Sequence, residues 1–205
     1  MSIEPLVLLA ETVVPSTQGC WMEWDVTNHV KDAIYCGLSS VNFLIKDANT
    51  GTVGVVFNTK ENGANPPEMI IDGVTKYSAG DTHLYSYIGH GTNGSATTMY
   101  VVEKNGDARR SIISFPITDL SSFSSSTLRL YYSAYVSGNP SGRTIQVYKL
   151  TRSNWVELQS TWNSYKTGSS WTTAGGDYTN AGEWEPPSGV KANISKCQLG
   201  FSLSL

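Results

Sequence analysis

Six tryptophans and eleven tyrosines are the side chains of this sequence best suited to recognition chemistry. An aromatic face stacks on the C–H face of a pyranose, and neighbouring amides and hydroxyls exchange hydrogen bonds with the sugar. Trp171, Trp184, Tyr165 and Tyr178 stand among Ser, Thr and Asn, and with Arg110 they form the candidate carbohydrate-binding set. The competing reading makes Trp155 and Trp162 inner clamps and leaves the other rings to pack loops. Of the adjacent Arg109 and Arg110, one is suited to a sugar carboxylate, or else to bracing a loop carbonyl or an acid such as Asp177.

Catalysis finds no anchor. His29, His83 and His90 fall outside any nucleophile-elbow spelling. Glycoside hydrolysis needs two carboxylates flanking one bond, and spacing singles out no pair among 17 acids. The expectation is a non-enzyme with no catalytic residues. Asp47-Ala-Asn49-Thr-Gly51 begins like a calcium loop but lacks the later Asp and the Glu at its twelfth position. It therefore reads as a turn; no metal ligand or cofactor is assigned, and a structural calcium stays open. Cys20, Cys36 and Cys197 show no C-x-x-C spacing and read as small buried apolar groups, with a Cys20–Cys36 or Cys36–Cys197 bridge as alternatives.

The elements that would position these residues are strands. With 40% hydrophobic and only 15% charged residues, the 205-residue chain suits one large all-β domain. From Trp21, residues Met22, Trp24 and Val26 alternate with Glu23 and Asp25, the period of a half-buried strand. Thr27 is placed to cap one short helix, in which Val30, Ala33 and Ile34 share a face before Gly37. Val41, Phe43 and Ile45 turn at 47–51 into Val53, Val55 and Phe57, which reads as a hairpin. A strand over 68–72 follows, Asn105-Gly106 marks a tight turn, and strands are expected over 111–115 and around Leu128, Leu130, Ile145 and Val147. The segment from Tyr148 to Asp177 reads as strand ends and a broad loop pinned by large rings.

The run W-V-E-L-Q-S-T-W-N-S-Y, with S-W-T-T-A-G-G-D-Y after it, resembles the disaggregatase-related (DNRLRE-type) repeat, a carbohydrate-binding-module-like β-sandwich of surface-exposed and virion proteins. Asp81-Thr82, Arg109-Arg110-Ser-Ile-Ile-Ser-Phe and Ser-Thr-Leu-Arg-Leu-Tyr-Tyr add to the likeness, and Pro116 departs from it where the family carries Asp. W-M-E-W-D-V-T, F-L-I-K-D and P-P-E-M-I-I resemble the second half of the same repeat, yet here they come first. The resemblance implies a jelly-roll-like antiparallel sandwich, either circularly permuted and closed in one chain or swapped between neighbours. The expected organisation is a single domain over 1–205: an amino-terminal arm over 1–19, the family's second half over 20–72, a linker over 73–80, the first half over 81–179, and extension strands over 180–205.

A net charge of −3 with scattered cations offers no stripe for phosphates, so no nucleic-acid partner is expected. No apolar run approaches a membrane span, and Glu4 and Glu11 flank PLVLLA without a secretory signal's basic region. Leu6 and Leu8 near one end and Leu199, Phe201 and Leu203 near the other form apolar terminal segments that need a cover; these are the candidate assembly residues. The preferred expectation is a structural or adhesive virion or extracellular-surface protein that self-associates or joins neighbouring subunits through its terminal strands. The alternative is a module that binds polysaccharide through exposed aromatics.

Overall fold

The computed structural model describes residues 8–87 and 91–178. In chain order the elements are β1 (Leu8–Val13), β2 (Cys20–Asp25), helix α1 (Thr27–Tyr35), β3 (Ser40–Asp47), β4 (Gly54–Asn58), β5 (Glu68–Ile71) and β6 (Val74–Tyr77). Then come β7 (Gly80–Tyr85), β8 (Thr98–Val101), β9 (Arg109–Pro116), β10 (Ser126–Val136), β11 (Thr144–Lys149) and the short pair β12 (Ser164–Lys166) and β13 (Ser169–Ser170). Two antiparallel sheets form a sandwich, as expected of an all-β chain with one short helix. The first sheet runs β1-β11-β3-β9-β7; the second runs β6-β5-β10-β4-β8, with β2 on the other side of β10.

The inner faces interlock through large rings. Trp24 lies edge-on to Phe57 at 6.2 Å, and its Nε1–H donates to the carbonyl of Ile145 in the opposite sheet, 3.1 Å away. Phe43, Phe115, Met22, Met69 and Leu130 fill the same layer and are fully buried. Helix α1 lays Val30 and Ala33 on this core, with Ile34 partly buried beside them. Val26, not Thr27, is the residue preceding the helix. The Thr27 hydroxyl instead accepts the Ser126 N–H at 2.9 Å, tying the helix start to β10.

Several expectations are corrected. The turn at 47–51 does not close a hairpin. Strand β3 is flanked by β11 and β9, both of its edges are taken, and the chain must cross to the second sheet to form β4. Asp47 is fully buried there: its carboxylate accepts Arg143 Nε at 2.7 Å and the Asn49 N–H at 2.8 Å, so a guanidinium answers its charge. The 73–80 stretch is no plain linker. Asp72 (φ 46°) and Gly73 (φ 83°) both take the left-handed conformation of a two-residue hairpin turn, and residues 74–77 pair back on β5 as β6. The amino-terminal arm is, over residues 8–13, an edge strand of the chain's own first sheet. Cys36 is disulfide-bonded while Cys20 is a free, half-buried thiol, which removes the Cys20–Cys36 alternative.

Candidate functional site

The aromatic segment singled out from the sequence is a third layer. Residues 151–178 fold over the outer face of the first sheet, where Leu44, Leu84, Ile112, Tyr148 and Leu150 form a second apolar cluster with Trp171. Trp155 reaches Asn42 of β3 through its indole N–H at 2.9 Å, the expected clamp. Trp171 is 5% exposed and donates to the Thr161 carbonyl at 2.8 Å, so neither of its faces is presented to a ligand. Tyr165 and Tyr178 are half-buried and packed against the same cluster. Arg110, 9% exposed, grips Glu103 with Nε and Nη2 at 3.2 and 2.9 Å and directs Nη1 to the Gly175 carbonyl at 3.4 Å. Its guanidinium lies 4.9 Å from the ring centre of Trp162 and 5.2 Å from that of Tyr178. Arg110 is thus the brace of a loop carbonyl. Asp177 is held by a different arginine, Arg152, at 2.9 Å. Leu8, from the assembly set, sits opposite Tyr148 in β1 and is 40% exposed. Trp184, Leu6, Leu199, Phe201 and Leu203 lie outside the described residues.

The outer face of the second sheet carries a different set. Alternation along β2 puts Trp21, Glu23 and Asp25 outward; register with β10 sets Tyr131, Arg129 and Thr127 opposite them, and Glu68 and Ile70 of β5 lie beyond. Trp21 and Tyr131 meet edge to face at 5.4 Å, a favourable aromatic pairing. The Arg129 guanidinium lies 4.6 Å from the Trp21 ring centre, 3.0 Å from a Glu23 oxygen and 3.5 Å from a Glu68 oxygen. Tyr77 follows across the Glu68–Tyr77 pair of β5 and β6 and is 58% exposed. Two neighbouring rungs therefore cross this face, Trp21–Tyr131 on β2 and β10, and Glu23–Arg129–Glu68–Tyr77 over β2, β10, β5 and β6. Sequence reasoning named none of these as ligand-facing. The signal was present in the alternation, which places Trp21 on the side of Glu23 and away from Met22 and Trp24.

Two further clusters were not anticipated. Glu61, Asp81 and Glu157 bring carboxylate oxygens within 4.8 Å of one another, a grouping able to hold a cation. The ammonium of Lys60 already pairs with both Glu61 and Glu157. Asp81 is fully buried, accepts Ser78 Oγ at 2.7 Å, and is pushed up to about 6, chiefly by burial and then by the neighbouring carboxylates. Being 0% exposed, it cannot reach a glycosidic bond. At one end of the sandwich, Thr52, Lys104, Asp107, Arg109 and Ser137 border a cleft of about 160 Å³. Asp107 there is shared by Lys104 at 2.9 Å and Arg109 at 3.5 Å, so two cations lean on one carboxylate.

A two-sheet antiparallel sandwich with aromatic and polar rungs on an open sheet face has the architecture of a carbohydrate-binding module. The chain belongs to carbohydrate-binding module family 96, whose model matches residues 7–73 and 74–197. No curated protein and no solved structure matches it.

Proposed function

We propose that this chain is a non-catalytic module that binds a polysaccharide across the outer face of the second sheet, with Trp21, Tyr131 and Tyr77 as stacking surfaces. The observation that carries this reading is the asymmetry between the two outer faces. The first sheet is roofed by residues 151–178, whereas the second leaves Trp21, Tyr131 and Tyr77 partly or largely exposed on two neighbouring rungs, with hydrogen-bonding groups between them. Membership of a carbohydrate-binding family supports the ligand class. Strands from before and after residue 73 pair with one another in both sheets, which is the arrangement that a permuted order closed within one molecule requires. Attachment to a virion or cell surface would be the setting in which such a module tethers its carrier to glycan.

The test compares two tryptophans in a polysaccharide retention assay alongside thermal unfolding. Trp21→Ala is expected to lose retention at nearly unchanged melting temperature. Trp171→Ala is expected to lower the melting temperature, because it empties a buried site. If Trp171→Ala abolishes retention while stability holds, the ligand lies on the aromatic layer and the proposed face is wrong.

A further inference from the structure

Cys36 is bonded to a sulfur that lies outside the described residues. Cys20 carries a free thiol, whose Sγ stands 3.4 Å from the Thr17 carbonyl, and the sequence holds three cysteines. The remaining one is Cys197, beyond the last described residue, Tyr178.

The position of Cys36 in the fold decides what such a bond does. Cys36 closes helix α1, its N–H donating to the Asp32 carbonyl at 2.9 Å. Helical spacing puts its side chain on the flank of Asp32, one turn back, and of His29, two turns back. That flank faces the end of β11, where the charge of Lys149 acts on both His29 and Asp32. Two residues further on, Thr151 donates its N–H and its hydroxyl to the Asp177 carbonyl at 2.8 and 2.7 Å. The aromatic layer therefore leaves the end of β11 and returns to it, and Tyr178 stands at the same end of the sandwich as Cys36. Residues 179–196 reach about 60 Å when extended, so length does not forbid a return from Tyr178 to α1.

We infer that Cys36 Sγ is bonded to Cys197 Sγ, and that this bridge is a latch that holds the carboxyl end of the aromatic layer to helix α1. The layer has need of one. Its β12–β13 pair joins neither sheet of the sandwich, and its polar links to the first sheet are few, chiefly Trp155 to Asn42 and Arg110 to the Gly175 carbonyl. The cluster beneath it is separate from the sandwich core, so opening the latch loosens the layer ahead of the sheets. Disulfides persist in oxidising surroundings, which suits the surface setting proposed above. A dithiol such as dithiothreitol opens the bridge by exchange: the Sγ–Sγ bond breaks, each cysteine takes a proton as a thiol, and the two sulfurs of the dithiol join in a cyclic disulfide.

Peptide mapping without reductant identifies the bond. Trypsin separates the cysteines, with Cys20 in 1–31, Cys36 in 32–46 and Cys197 in 197–205. A disulfide-linked pair of the last two peptides is expected, with Cys20 open to alkylation. Hydrogen exchange of the full chain then reads the latch. Reduction, or Cys197→Ser, should speed exchange in 151–178 about tenfold more than in β2, β3 and β10. The melting temperature should fall by roughly 5–15 °C, and Cys36→Ser/Cys197→Ser should fall no further than either single variant. Reduction acts on protein already folded, so the exchange reading does not depend on how the variants fold. A map that joins 1–31 to 32–46, joins two copies of 32–46, or finds Cys36 unlinked overturns the pairing. Exchange that rises equally in the layer and in both sheets, or in neither, overturns the latch.

Discussion

His29 and Asp81 are buried titratable residues whose effects on stability oppose each other. His29 contacts Phe43 edge-on at 5.6 Å, its Nε2 has no hydrogen-bond partner, and burial, aided by the nearby Lys149 charge, drives it down to about 3 from 6.5. The unfolded chain takes up that proton first as pH falls, so stability present above 6.5 is lost on acidification towards 3. Asp81 runs the other way. Raised from 3.8 to about 6, it binds its proton more readily when folded, so it favours the fold below 3.8 and that contribution is lost as pH rises through 6. Each acts with a slope of about 1.4 kcal/mol per pH unit, and between 3.8 and 6 the two cancel. Asp81→Asn should therefore raise the melting temperature at pH 7 relative to its effect at pH 4, and expose the acid-labile slope of His29. His29→Gln should expose the opposite slope. Thermal unfolding across that range decides it: variants whose difference from wild type does not change with pH would mean that neither group is displaced from its ordinary range.

At the scale of elements, the seating of the aromatic layer depends on the close approach of one glycine, and a second glycine in the same layer serves as its control. Gly176 holds φ at 103°, and a Cβ there would sit 2.5 Å from Leu44 Cδ1, inside the cluster that the layer covers. Gly168, in the β12–β13 turn, has φ 73° but open space around it. Gly176→Ala should cost about 2 kcal/mol or more, from strain and overpacking together. Gly168→Ala should cost only about 1 kcal/mol, from strain alone. At roughly 2–4 °C of melting temperature per kcal/mol for a chain of this size, calorimetry separates the two; equal shifts would mean that the layer is loosely seated. Much of this architecture was legible in the sequence. The alternation of β2, β10 and β11 and the α1 face through Val30 and Ala33 follow from local spacing, and the clamp role of Trp155 is the competing reading that a large ring with an indole N–H allows. The Asp72-Gly73 turn is legible too, since that dipeptide is a strong hairpin signal, although the strand expected over 68–72 stops at it. The proposed binding face is not legible there. Whether an outward ring meets solvent or protein depends on where residues 151–178 fold back, and they cover the first sheet and not the second. Spacing along Trp155, Trp162 and Trp171 carries no trace of which sheet they roof.

The whole molecule is held by pairing that is almost entirely distant in sequence. None of β1 to β5 pairs with another of those five: β1 and β3 join β11, β2 and β5 join β10, and β4 joins β10 and β8, while β3 also joins β9. The division of the family match at residues 73 and 74 is thus no folding boundary, since each side leaves strand edges and part of the core that holds Trp24, Phe57 and Phe115 to the other. Such a topology must close long loops before any contact repays the ordering entropy, so the chain should fold slowly and all at once. Urea unfolding followed by tryptophan fluorescence and by far-ultraviolet circular dichroism should give one coincident transition. A fragment of residues 1–73 should have no cooperative melt of its own. Mixed with residues 74–205 under disulfide-permissive conditions, it should recover the sandwich with a midpoint that rises with concentration, as a bimolecular fold does. A cooperative transition in the isolated 1–73 fragment would mean that those strands find partners among themselves, and the interleaving that holds Trp21 against Tyr131 and Arg129 would no longer be what builds the proposed binding face.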